Sequence, residues 1–133
     1  MTSANPHPKS KNVHRASVII LFFMMAQPTF DNMRALATGT MELGSNSIDV
    51  TFSQMLLHIV AMAVGWVGWW WFYNRQKRGA YTSVLAHCIG FAAVLTQTPE
   101  MLVMMPPSAI VMFFAVLLTI AAGPIYRFKE EYR

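Results

Sequence analysis

The sequence predicts an all-α membrane protein in which four transmembrane helices form an antiparallel bundle with both termini on the cytoplasmic side. Three long segments, 52–73, 80–98 and 101–126, contain no Asp, Glu, Lys or Arg. Nine of the ten basic residues fall into three short clusters: Lys9, Lys11 and Arg15; Arg75, Lys77 and Arg78; Arg127, Lys129 and Arg133. Because cytoplasmic loops are enriched in Lys and Arg, an even number of spans must separate these clusters.

The composition leaves no room for a soluble catalytic domain. The 133 residues are 55% hydrophobic and 12% charged, whereas about a quarter of the residues in a soluble domain are charged. Four spans of roughly 20 residues each use most of the chain. The basic residues flank the spans and face anionic lipid headgroups, which explains the net charge without a nucleic-acid partner. We therefore expect a non-enzymatic protein of the bacterial inner (plasma) membrane.

The chain divides into an arm, a helical domain and a tail. Residues 1–15 contain two prolines, two histidines and three basic residues, so we expect a disordered cytoplasmic arm in which His14 is solvated. The transmembrane domain covers 16–126, with spans at about 16–37, 52–73, 80–98 and 107–126. Residues 127–133 are predicted to be a cytoplasmic tail.

Of the four predicted spans, the first is the least clearly indicated by its hydrophobicity. Its uninterrupted apolar run, 18–26, is too short to cross about 30 Å of hydrocarbon at 1.5 Å per residue. We expect the helix to continue through Gln27, Pro28 and Asp31, with a kink at Pro28 because proline lacks a backbone donor. Polar side chains then enter the outer leaflet.

The loops carry turn and capping signals. Residues 38–51 are predicted to form the outer loop, and Asp49 or Thr51 is expected to cap the second span through its side-chain oxygen. That span ends in a Trp-rich segment, 66–73, which suits the headgroup level. We expect Gly79 to break the inner turn and Gly123-Pro124 to kink or end the fourth span.

His58 and His87 lie inside predicted spans, where ionisable groups are costly and often functional. Each shares a helical face with small residues that permit close helix approach. Two histidines from different helices can ligate haem iron axially. The span boundaries place His58 six and His87 eleven residues below the outer surface, a difference in level of roughly 7 Å. The alternative is that each histidine hydrogen-bonds a neighbouring helix.

Gln27, Asp31 and Arg34 fall on one face of the first helix. One interpretation is an outward-facing polar entrance in which Asp31 exchanges a proton or a cation. The other is an interfacial salt bridge between Asp31 and Arg34. Both interpretations stay open at the level of the sequence.

The chain contains eleven methionines. Thioethers suit Cu(I), but methionine inside a helix is also a flexible packing residue. A group at the outer surface makes copper handling a minor alternative; its members are Met33, Met41, Met101, Met104 and Met105.

The predicted function is binding or transport of a small solute or cation, with no catalytic residues, no metal ligands and no cofactor. The candidate binding residues are Gln27, Asp31, Arg34, His58 and His87. One alternative is the membrane anchor subunit of a redox complex that binds haem b or quinone through His58 and His87. Another is an accessory or immunity membrane protein that acts through helix contacts. Besides the lipid bilayer, we expect a homodimer or a larger membrane complex, since one small bundle offers little cavity.

Overall fold

The computed structural model describes residues 8–43, 46–97 and 105–133. Within this part of the chain, four helices are long and apolar enough to cross a membrane. They are α1 (Pro8–Thr38), α2 (Phe52–Tyr73), α3 (Lys77–Gln97) and α4 (Pro107–Arg127). Strands β1 (Thr40–Leu43) and β2 (Asn46–Asp49) form an antiparallel hairpin between α1 and α2, and a 3₁₀ turn (Lys129–Glu131) follows α4. The prediction of four apolar helices compatible with a multi-pass membrane protein is confirmed.

The prediction of a disordered arm over residues 1–15 is wrong for residues 8–15, which are the first two turns of α1; residues 1–7 lie outside the described residues. Ser10 and His14 are buried, although we expected His14 to be solvated. The start of α1 is stabilised because Ser10 and His14 form hydrogen bonds with the C-terminal residues Glu131 and Tyr132. A contact between chain ends cannot be read from local composition.

The tight turn between α2 and α3 is made by Arg75 and not by Gly79. Arg75 has a φ of 56°, in the left-handed region that few residues other than glycine adopt. Gly79 lies inside α3, where a Cβ would overlap the backbone of Phe72 and lie 2.7 Å from the carbonyl oxygen of Gly68. Gly79 therefore permits close helix approach, which is a packing role.

Both internal prolines are accommodated within helices. Pro28 lies inside α1, and Pro124 lies inside α4, which continues to Arg127. At the other end of α1, Gly39 adopts a φ of 72° and donates its amide to the carbonyl of Ala35, a common way for a helix to end. The predicted cap on α2 is Thr51, which forms a reciprocal capping box with Gln54.

Small residues set the register between α2 and α3. A Cβ on Gly90 would lie 3.7 Å from Ala61, one on Gly65 would lie 3.3 Å from Ala86, and one on Gly68 would lie 2.7 Å from the amide of Ser83. Moving one residue toward the C-terminus of α3 therefore corresponds to moving one residue toward the N-terminus of α2, so the two helices are antiparallel. By this register, position 64 of α2 is at the level of His87 along the helix pair.

The four described helices form a helical bundle in which α1 and α3 each pack against both α2 and α4. At the tail end, where the start of α1 meets the end of the chain, seven buried residues form a core: Val18, Leu21, Phe72, Ala80, Leu117, Ala121 and Tyr132. At the opposite hairpin end, a smaller core contains Ala35, Met41 and Met55. The space between the two cores is where the bundle opens.

Candidate functional site

A cleft of ≈ 490 Å³ lies between the helices on the hairpin side of the main core. All four described helices and strand β1 contribute to its wall, so the cleft is a property of the whole fold. Its polar lining residues are Gln27, Asp31, Asn32, Glu42, His58 and His87. The cleft therefore brings together four of the five predicted binding residues.

His87 lines this cleft and has an unpartnered ring nitrogen within the described part of the chain. Its Nδ1 lies 2.7 Å from the carbonyl oxygen of Ser83, one turn earlier in α3. A carbonyl oxygen can only accept, so Nδ1 carries the proton and the neutral ring keeps its lone pair on Nε2. Nε2 is buried and has no hydrogen-bond partner among the described residues. Such an atom costs free energy unless something binds it.

His58 is satisfied within the protein. It is buried on α2, and its Nε2 lies 3.2 Å from Oε1 of Gln97 on α3. The side-chain amide of Gln97 in turn donates to the carbonyl of Gln54, at 3.3 Å. Since Oε1 is then the accepting atom, Nε2 of His58 is the donor. For His58, the structure thus shows the hydrogen bond to a neighbouring helix that the sequence left as one alternative.

The register separates the two histidines along the helix pair. His87 lies at the level of position 64 of α2, six residues from His58. At 1.5 Å per residue this offset is roughly 9 Å. Two axial ligands of one iron must approach it from opposite sides at a common level. The offset along the helices therefore opposes the use of the two rings as the axial pair of one haem iron, although both residues line the same cleft.

The predicted polar face on α1 is split by the hairpin. Gln27 and Asp31 line the cleft, and Asp31 is exposed. Arg34 is not among the lining residues and forms a bidentate pair with Glu42 on β1, at 2.8 and 3.2 Å. The alternative of an Asp31–Arg34 salt bridge is therefore wrong, because the hairpin supplies Arg34 with another carboxylate. Both side chains of the Arg34–Glu42 pair are exposed, so the pair adds little stability.

Asn32, which belongs to the polar group on the first helix, and three methionines were left out of the predicted binding residues. Asn32 is buried and lines the cleft, together with Met24, Met25 and Met62. The sequence did contain a partial indication that Asn32 faces inward. It lies at helical spacing from three apolar residues, and all four are buried: Leu21, Met25, Asn32 and Ala35. No group of three or more His, Cys, Asp or Glu side chains is placed to hold a metal ion in the described ranges. Met101 and Met104 of the predicted outer methionine group lie outside those ranges.

The tail end carries a second polar cluster, in which every member forms a hydrogen bond or an ion pair. Ser10 donates to Oε2 of Glu131 at 2.5 Å, and the same oxygen accepts from Arg75 at 2.8 Å. His14 bonds the Tyr132 hydroxyl through Nδ1, at 2.7 Å, and the carbonyl of Tyr73 through Nε2, at 3.2 Å. Burial raises the pKa of Tyr132 to about 12, with the charge of Arg75 opposing the shift. This cluster joins the first helix to the end of the chain.

The backbone reinforces that junction. The amide of Lys77 donates to the carbonyl of Arg133 at 2.7 Å, and the amide of Arg133 donates to the carbonyl of Arg75 at 2.9 Å. The left-handed conformation of Arg75 thus serves both the turn and the attachment of the tail.

The chain matches no protein-family model, no curated protein and no solved structure.

Proposed function

We propose that this chain crosses the bacterial inner membrane four times as an antiparallel bundle, with both termini in the cytoplasm. The tail end holds the start of α1, the α2–α3 turn and the end of the chain, and all three basic clusters flank these segments. The hairpin end carries Asp31, Glu42 and Asp49 with Arg34 as its one described basic residue. This asymmetry supports a cytoplasmic tail end.

Reporter fusions test the orientation. We expect alkaline phosphatase to be active when fused after Ser47 and inactive when fused after Gln76 or Arg133, with the opposite pattern for a fluorescent protein that matures only in the cytoplasm. Phosphatase activity after Gln76 would contradict this topology.

Within that topology, the cleft binds a small solute or cation that enters from the outer side, and the protein moves it without catalysing a reaction. The observation that carries this proposal is that His87, whose buried Nε2 has no hydrogen-bond partner among the described residues, lines the same cleft as the exposed Asp31. Ionisable groups inside a membrane often mark solute and proton pathways. Asp31 supplies negative charge and a titratable group at the entrance, and His87 supplies a ligand atom at depth.

Proton flux tests the role of Asp31. The full chain is reconstituted in liposomes that contain a pH-sensitive dye, and a potassium diffusion potential drives proton entry. We expect the wild type to admit protons and Asp31→Asn, which keeps the size but cannot titrate, to lose at least nine tenths of the rate. Glu130→Gln is the matched control, because Glu130 is an exposed carboxylate at the tail end.

Two results would overturn transport. One is a wild type that moves neither protons nor radioactive sodium faster than empty liposomes. The other is an Asp31→Asn variant that is as fast as the wild type. The role of an accessory protein that acts through helix contacts would then take its place.

A redox-anchor role is the second candidate, and one observation favours it: His58 and His87 line a single cleft. The axial offset of roughly 9 Å and the bond from His58 to Gln97 oppose a shared haem iron. A Soret band in protein purified from haem-replete cells, lost in both His58→Ala and His87→Ala, would establish this role. A colourless preparation would remove the haem form of this candidate.

A further inference from the structure

Thioether sulfurs gather around the cleft. Met24, Met25, Met41 and Met62 all line it, and each is buried or half-buried. Other methionines point elsewhere: Met33 on α1 and Met112 on α4 are 59% and 66% exposed.

Two of these thioethers lie at the level of His87. The sulfur of Met25 lies against Gly65, where a Cβ would be 2.6 Å from it, and Gly65 in turn faces Ala86. Met62 is two positions along α2 from the level of His87, a distance of roughly 3 Å along the axis. Side chains from α1, α2 and α3 thus converge at one depth. On the α4 side the ring of Phe113 closes the group, 6.0 Å from the His87 ring.

This donor set selects a particular class of cation. Thioethers are neutral, soft ligands, and a neutral imidazole nitrogen is a good ligand for copper. Hard cations such as Na⁺, Mg²⁺ and Ca²⁺ prefer carboxylate and carbonyl oxygens and bind thioether sulfur poorly. A monovalent ion also suits a site of neutral ligands, because burying a higher charge without counter-charges is more costly. Asp31 and Glu42, both exposed, place negative charge nearer the entrance.

We infer that the cleft binds one Cu(I) ion per chain through Nε2 of His87 and the thioethers of Met25 and Met62. This inference rests on the proposed function, because it names the cation that the cleft takes. It differs from the copper alternative raised by the sequence, which placed the ion among methionines at the outer surface.

The test is an anaerobic Cu(I) titration of the detergent-purified full chain against a chromogenic Cu(I) chelator. All proteins carry Cys88→Ala, because Cys88 is an exposed thiol that would bind Cu(I) by itself. We expect one tightly bound Cu(I) per chain. His87→Phe, Met25→Leu and Met62→Leu should each weaken binding at least tenfold, and Met112→Leu should leave it unchanged.

Methionine and leucine have similar volumes, so the Met→Leu variants keep the packing, and circular dichroism verifies that each variant is helical. If His87→Phe does not fold, the two Met→Leu variants decide the question. Absence of Cu(I) binding, or wild-type affinity in Met25→Leu and Met62→Leu, would overturn the inference.

The two proposals fail separately. If Asp31-dependent proton flux is present and Cu(I) does not bind, only the copper site is wrong. If Cu(I) binds as described and no flux occurs, the site stands and transport is wrong.

Discussion

The two ends of this bundle use polar residues in opposite ways. At the tail end, Ser10, His14, Arg75, Glu131 and Tyr132 are paired with one another or with backbone carbonyls. Along α3, Nε2 of His87, a cleft residue, and Oγ of Ser83, one turn away, are buried without a hydrogen-bond partner among the described residues, and Asp31 is exposed beside the cleft. A fully satisfied polar network stabilises and specifies a fold, whereas an unsatisfied group lowers stability. We infer that the polar residues at the tail end stabilise the fold and that those in the cleft are available to bind a ligand.

Packing shows the same contrast. Toward the tail end, α2 and α3 approach so closely that Gly79 contacts the backbone of Phe72, and toward the hairpin end Gly90 leaves ordinary space to Ala61. Interiors at native density tolerate no added carbon against backbone. Rigid packing at one end and a cleft at the other follow from the same helix pair.

The largest effect that we predict comes from adding one methyl group at each end of that pair. Gly79→Ala should lower the free energy of unfolding by about 3 kcal/mol, because the overlap is with backbone that cannot move aside. Gly90→Ala should change it by less than about 1 kcal/mol, since its Cβ makes a normal contact. Unfolding in mixed micelles measures both. Equal losses for the two variants would mean that the packing contrast is wrong.

The next effect concerns the ion pair at the tail end. Glu131→Gln should cost about 2 kcal/mol, because the partly buried Arg75 loses its counter-charge and the hydrogen bond from Ser10 goes to a neutral acceptor in place of a carboxylate. Glu130→Gln, one residue earlier and exposed, is the control and should be neutral within about 0.5 kcal/mol. A neutral Glu131→Gln would show that the cluster does not stabilise the fold.

Tyr132 gives a smaller effect that depends on pH. Its pKa is raised from 10.0 to about 12 by burial, so the folded state retains the phenolic proton after the unfolded state has lost it. The resulting stability is fully present below pH 10 and is lost as the pH rises from 10 to 12. Tyr132→Phe should remove this part of the pH dependence. An unchanged stability profile in the variant would exclude Tyr132 as its source.

Much of the fold was predictable because a membrane imposes long apolar segments and an asymmetric charge distribution. The four helices and the cap at Thr51 follow from local sequence. The helical structure of residues 8–15 could not be predicted from local sequence, because it depends on contacts with Glu131 and Tyr132, which are more than a hundred residues away. The left-handed turn at Arg75 could not be predicted either, because Gly79 was the residue in this segment that suggested a turn.

The site was predictable in its residue types and not in its geometry. Gln27, Asp31, His58 and His87 stand out as polar residues in apolar helices, and the fold brings all four to one cleft. The hydrogen bonds to Ser83 and Gln97 determine which nitrogen of each histidine is free. The helix register determines which methionines lie near the histidines. Arg34 was paired differently because the hairpin that carries Glu42 has no strong signal in the sequence.

The most direct test of the account compares the stability of two histidine replacements, because it asks whether the cleft residue serves the fold. His87→Phe removes an unpartnered buried nitrogen, and the Ser83 carbonyl still accepts the helical amide of residue 87, so we predict a free energy of unfolding equal to that of the wild type or up to about 1 kcal/mol higher. His58→Phe leaves Oε1 of Gln97 without its donor and should lose about 1 kcal/mol or more. A loss of about 2 kcal/mol in His87→Phe, equal to or larger than that of His58→Phe, would contradict the account, because His87 would then be a structural residue.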